Sequence, residues 1–150
     1  GVGVWGSGQL LRYWIATGRG GTFDVLVDDL GGYPDNVSPD GDGGYYVSIL
    51  ADRSGAIDSV TQHEELKSLF LFDMVSPWVP LTWMNLYAHV KHYNSKGKLV
   101  EIIKDETGMI VGPMSGAYVH DGYLYGGSFL MPVLTKIGLY NGDMQVTCFA

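Results

Sequence analysis

Short apolar or alternating runs, punctuated by glycine and aspartate, dominate the chain. Residues 9–15 (QLLRYWI) and 22–29 (TFDVLVDD) have strand length and strand pattern, with Gly18, Gly20 and Gly21 between them, and predict a hairpin. After the punctuation of Gly31–Gly32 and the glycine-rich stretch 40–44, residues 45–50 (YYVSIL) predict a strong strand. Residues 98–103, 109–119, 122–128 and 133–139 predict further strands, and 144–149 starts or closes another. One region breaks the rhythm. Over residues 60–74, Leu66, Leu69, Phe70 and Met74 recur at spacings of three and four, which predicts a helix stopped by Pro77 and Pro80. A second, weaker helical run covers residues 84–90. Repeated short strands with frequent turns predict an all-β sandwich, barrel or propeller, not a parallel α/β sheet. Asp42-Gly43-Gly44-Tyr45-Tyr46-Val47-Ser48 and Asp121-Gly122-Tyr123-Leu124-Tyr125-Gly126-Gly127-Ser128 share a turn-then-strand pattern. They suit the same place in successive blades, with the helical segment inserted between them near residues 60–90.

Composition sharpens this picture. A chain of 150 residues that is 46% hydrophobic and 17% charged reads as globular. The formal charge of −7 excludes the basic stripe that neutralises phosphates, so no nucleic-acid partner is expected, and no polybasic membrane anchor is present. Cys148 is the only cysteine, so no intrachain disulfide forms. The apolar region 69–90 is broken by Asp73, Ser76, Pro77, Pro80 and Asn85 and is not a membrane span. The chain opens on glycine without a signal peptide, which suits a sequence whose beginning lies elsewhere.

Several motifs invite a chemical reading. Gly1-Val2-Gly3-Val4-Trp5-Gly6 matches the dinucleotide fingerprint literally, but that fingerprint needs a strand before it and a helix after it. Gly32-Tyr33-Pro34-Asp35-Asn36-Val37 reads locally as a well-built turn capping a strand. Functionally, Asp35 and Asn36 offer hard oxygen ligands to Ca²⁺, and Asp35 is a candidate catalytic base. Asn36-Val37-Ser38 is also a glycosylation sequon, directly followed by Pro39. The acidic stretch Asp40-Gly41-Asp42-Gly43-Gly44 lacks the other ligands of a calcium loop and reads as a hairpin turn. His89 and His92 could share a helical face, yet no third zinc ligand has suitable spacing. His63, beside Glu64 and Glu65, reads as a solvated helix start. No Gly-x-Ser-x-Gly elbow supports a triad hydrolase.

Taken together, certain segments resemble the strictosidine synthase-like family, most closely its animal branch. They are Leu11-Arg12-Tyr13-Trp14-Ile15 with Gly21-Thr22; Asp29-Leu30 with Gly32-Tyr33-Pro34-Asp35-Asn36-Val37; Gly43-Gly44-Tyr45-Tyr46-Val47; Ser76-Pro77-Trp78; and His120-Asp121-Gly122-Tyr123-Leu124-Tyr125-Gly126-Gly127-Ser128-Phe129. Their order is similar to that family's second half and covers roughly residues 9–140. The resemblance implies a six-bladed β-propeller of four-stranded blades, of which residues 1–150 supply about the last half. Residues 1–8 look unlike the strand expected ahead of LLRYWI.

Related propellers, the gluconolactonases and paraoxonases, hold a divalent metal, usually Ca²⁺, in the central channel. By that likeness Asp35 and Asn36 are the metal-ligand candidates, with the remaining ligands upstream. Strictosidine synthase uses a glutamate shortly before the HDG segment; here Ser115 takes that place, and serine is no general base without a partner. The resemblance therefore implies an arylesterase- or lactonase-type hydrolase acting on a small ester or lactone, and not an alkaloid-forming enzyme. The alternatives are a non-catalytic binding or adhesion propeller and an inactive fragment. It also implies an extracytoplasmic location: endoplasmic reticulum lumen, cell surface or secreted. Open blade edges imply self-association.

Overall fold

The computed structural model describes residues 1–16, 18–55, 58–59, 63, 65, 89–105, 112–129, 132 and 134–139, together with the backbone of 147–149. The predicted helical insertion falls almost wholly outside the described residues.

The described residues form three antiparallel sheets in sequence order. The first holds β1 (Val2–Val4), β2 (Gln9–Tyr13) and β3 (Phe23–Val27). The second runs β4 (Gly32–Pro39), β5 (Tyr45–Asp52), β6 (His89–Tyr93) and β7 (Leu99–Lys104). The third runs β8 (Gly116–His120), β9 (Tyr123–Gly127), β10 (Leu134–Gly138) and β11 (Thr147–Phe149). Each strand pairs with its neighbour in sequence, so every sheet is a meander. The two look-alike segments are indeed equivalent: each contributes the second strand of its sheet, β5 and β9.

The first strands of the three sheets stand side by side, with β4 touching β1 on one flank and β8 on the other. That arrangement is a row of propeller blades, inner strands toward a shared channel and outer strands toward the rim. Strand β7 shows the rim: Leu99, Val100 and Ile102 are exposed. The sheets pack face to face. Leu10, Leu26 and Val27 of the first meet Val47, Ile49 and Tyr93 of the second around Leu30. Tyr46 and Val90 of the second meet Ala117, Leu124 and Ile137 of the third around Met114. Gly126 is required here, since a Cβ there would fall 2.5 Å from the Met114 sulfur.

Asp121 (φ 48°) and Gly122 (φ 77°) form the two-residue turn joining β8 to β9, with His120 opposite Tyr123. Both left-handed residues match the turn type that suits a twisted hairpin.

Three expectations need correction. Residues 2–4 are a strand after all, hydrogen-bonded to β2, and the glycine fingerprint is that strand plus the turn after it. Residues 32–39 are a strand, not a turn. Pro34 is tolerated because β4 is an edge strand, whose free side needs no ladder donor. Residues 89 and 90, assigned above to a helical run, begin β6, where β-branched and aromatic neighbours pair on both sides.

Candidate functional site

Strand β4 carries the candidate residues at a place where its register slips. Pro34 lies opposite Ile49 and Val37 opposite Val47, so three steps along β4 match two along β5. Asp35 and Asn36 occupy this β-bulge, a device that re-aims side chains out of the regular ladder. The sequence puts them on the inner strand, and the bulge frees them from pairing with β5.

Asn36 reaches across to the neighbouring blade. Its backbone N–H donates to the Ser115 carbonyl at 3.2 Å, and its Nδ2 donates to the same oxygen at 2.8 Å. A carbonyl only accepts, so the amide nitrogen must face it. The amide oxygen Oδ1 is then left without a hydrogen bond among the described residues. Two residues on, Ser38 Oγ donates to the Ala117 carbonyl at 2.5 Å. The inner strands β4 and β8 are thus stitched together by side chains.

Asp35 differs from the other aspartates of known environment. Asp24 is held below the usual carboxylate range by Arg12, then Trp14. Asp58 is held down by Arg53, then Tyr33. Asp40 is raised by burial, but bonds from His92 and two backbone N–H groups outweigh that and leave it low. Asp35, half-buried, makes no hydrogen bond or ion pair among the described residues, and burial alone pushes its carboxyl up. A partly desolvated carboxylate without a counter-charge suits an added cation or a transferable proton.

The remaining candidates resolve differently. Asp40 uses Oδ1 to accept the N–H groups of Asp42 (2.8 Å) and Gly44 (2.7 Å), and Oδ2 to accept from His92 Nε2 at 2.9 Å. Both its oxygens are committed to the β4–β5 turn, which agrees with the hairpin reading and leaves no calcium loop. His92 stacks on Tyr46, its cross-strand partner, at 4.2 Å. His89 and His92 do not share a face: three apart on a strand, they point to opposite sides. His89 is buried, with Nδ1 3.3 Å from Asp52, and burial lowers it to about 4, so it is neutral at pH 7. Ser115 donates Oγ to the Gly127 carbonyl at 3.2 Å and is a seam residue, not a base.

Sequence reasoning missed the His92–Asp40 pair and the Asn36–Ser115 seam. Neither leaves a sequence signal, because the partners lie 52 and 79 residues apart.

A Ca²⁺ ion takes six to eight oxygen ligands. The bulge supplies two side-chain oxygen donors of the right hardness, the Asp35 carboxylate and the Asn36 Oδ1. Among the described residues no group of three or more His, Cys, Asp or Glu gathers around them or anywhere else. The pair fits as a share of such a site, not as a whole one. No helix among the described residues is long and apolar enough to cross a membrane.

The chain is 34% identical over 135 residues to the adipocyte plasma membrane-associated protein of Salmo salar, spanning 87% of this chain and 32% of that one. It is 30% identical, over the same length and shares, to the Bos taurus protein of that name. Over 116 residues it is 28% identical to the protein strictosidine synthase-like 13 of Arabidopsis thaliana, 75% of this chain and 28% of that one. The chain therefore spans about a third of the length of the curated relatives it matches. No model of a known protein family matches it.

Proposed function

Since this chain belongs to the strictosidine synthase-like family, we propose that it builds one wall of the channel of a metal-dependent, arylesterase- or lactonase-type hydrolase. The observation that carries this reading is Asp35: a half-buried carboxylate on the bulge of β4, raised by burial and without a counter-charge among the described residues. Asp35 and the Asn36 Oδ1 would hold Ca²⁺ together with ligands from other blades of a ring of six. A bound ion would polarise the ester or lactone carbonyl and stabilise the oxyanion that develops on it. The chain's own part is positional. Pro34 and the bulge fix where Asp35 points, and the bond from Asn36 to Ser115 holds the neighbouring inner strand at a set distance. Asp35, with its raised affinity for a proton, is also placed to accept one from an attacking water.

Alkaloid-type condensation is not part of the proposal, because Ser115 stands where a carboxylate base is needed and spends its hydroxyl on Gly127. An extracytoplasmic site of action accompanies the reading, since the calcium it calls for is plentiful there.

Hydrolysis of phenyl acetate and of a simple lactone, measured with Ca²⁺ and with chelator, tests the proposal. Turnover that needs Ca²⁺ and disappears in Asp35→Asn supports it. Turnover indifferent to both contradicts it. The Asn36–Ser115 seam favours a second reading, a binding propeller in which this pair is structural; calcium binding with no hydrolysis of either substrate would select it.

A further inference from the structure

The sequon Asn36-Val37-Ser38 has no part in the proposed chemistry, and its two polar side chains are engaged elsewhere. An N-linked oligosaccharide is carried by the amide nitrogen of Asn-x-Ser, ordinarily in a surface loop. Here the motif lies within strand β4. Asn36 is exposed, so burial does not shield it. What engages it is the next blade. Asn36 Nδ2 donates to the Ser115 carbonyl at 2.8 Å, its backbone N–H donates to the same oxygen at 3.2 Å, and Ser38 Oγ donates to the Ala117 carbonyl. The approach is also close: a Cβ on Gly116 would lie 3.7 Å from Asn36 Nδ2, in van der Waals contact. A sugar on that nitrogen and a docked β8 compete for the same side of the amide.

We propose that Asn36 is a fold-gated modification site, open to an N-linked oligosaccharide while β4 lacks its neighbour and closed once β8 docks. In the transfer, Nδ2 attacks the anomeric carbon of a lipid-pyrophosphate-linked oligosaccharide. The C–N bond forms, the C–O bond to pyrophosphate breaks, Nδ2 gives up one proton, and the lipid pyrophosphate leaves. The motif supplies the asparagine amide and the serine hydroxyl, and these are the two groups that the seam consumes. Both of their partners lie 79 residues downstream. At roughly 5–20 residues per second of synthesis, the sequon waits about 4–16 s for them. A chain whose third sheet fails to dock keeps the site open, and a sugar acquired early prevents the seam from forming. The modification thereby marks chains that have not assembled this pair of blades.

Pro39 restricts the backbone of Ser38 and is the rival cause of an unmodified sequon, so the test removes it first. The complete protein that contains this chain is directed through the secretory pathway, and Asn36 is read by site-resolved mass spectrometry. Folded Pro39→Ala protein should still carry an unmodified Asn36. Adding Ala117→Asp, at a buried position of β8, should undock that strand and give Asn36 the mass of an oligosaccharide. Pulse labelling reads this second variant before any disposal of misfolded chains. An oligosaccharide on Asn36 in the folded Pro39→Ala protein would overturn the proposal. An unmodified Asn36 in newly made chains carrying both substitutions would overturn it as well.

Discussion

The middle sheet and the sheets beside it are built from the same kind of strand, yet they differ in what their faces meet. In the second sheet, Val47 and Ile49 point one way into the core shared with the first, while Tyr46 and Val90 point the other way into the core shared with the third. Strand β5 consequently reads as a near-continuous buried run. In the first sheet, Leu10 is fully buried while Tyr13 and Phe23 stand in the open, although all three are large and apolar. Sequence pattern reports how apolar a strand is. It does not report whether a neighbour is present to cover it. The stability of this chain should be concentrated in the middle sheet, and substitutions separate the two regions.

The largest effect is expected in the doubly covered core. Ile49→Ala, at a fully buried position, should cost about 2–5 kcal/mol in denaturant unfolding. Phe23→Ala, at an exposed position, should stay within about 0.5 kcal/mol. Equal costs would erase the distinction between the regions.

Acid should strike the middle sheet next. His89 is buried and lowered to about 4, chiefly by burial, so the unfolded chain binds a proton there more readily than the folded one. Its contribution is complete above about pH 6.5 and is lost as the pH falls toward 4. The loss is on the order of 3 kcal/mol, at about 1.4 kcal/mol per pH unit. His89→Gln should flatten the stability profile in that window, and an unchanged slope would remove the assignment.

A smaller loss is expected at the β4–β5 turn. Asp40→Ala removes the acceptor of two backbone N–H groups and of His92, and should cost about 1–3 kcal/mol in thermal or chemical unfolding. The lowered pKa of Asp40 gives this contribution a sign: it is present at neutral pH and is lost as the pH falls through the carboxylate range. Smallest, and opposite in direction, is Asp35→Asn. Asp35 is raised in the folded state, so its ionised form opposes folding above the ordinary aspartate pKa. Without metal, the neutral variant should melt slightly higher than wild type at pH 7.

Much of the architecture was legible. The strands at residues 9–13, 23–27, 45–52, 99–104, 123–127 and 134–138 all follow the apolar runs to within a few residues, although the rim strand at 99–104 is mostly exposed. The segment at residues 32–39 was misread for a physical reason. Proline, aspartate and asparagine are turn formers by local chemistry, and only the sheet order shows that β4 is an edge strand with a bulge that admits them. The three-residue strand β1 is too short for periodicity to register. For the site, residue types alone singled out Asp35 and Asn36. Their surroundings, the Ser115 carbonyl on the next blade and the lack of a counter-charge among the described residues, depend on contacts far apart in sequence.

The account turns on whether Asp35 is a cation ligand, and calcium-dependent melting tests that most directly. At fixed ionic strength, Ca²⁺ should raise the melting temperature of the complete ring that contains this chain and of its Asp42→Asn form, an exposed charge-matched control, but not that of its Asp35→Asn form. Equal shifts in all three proteins, or none in any, would contradict it.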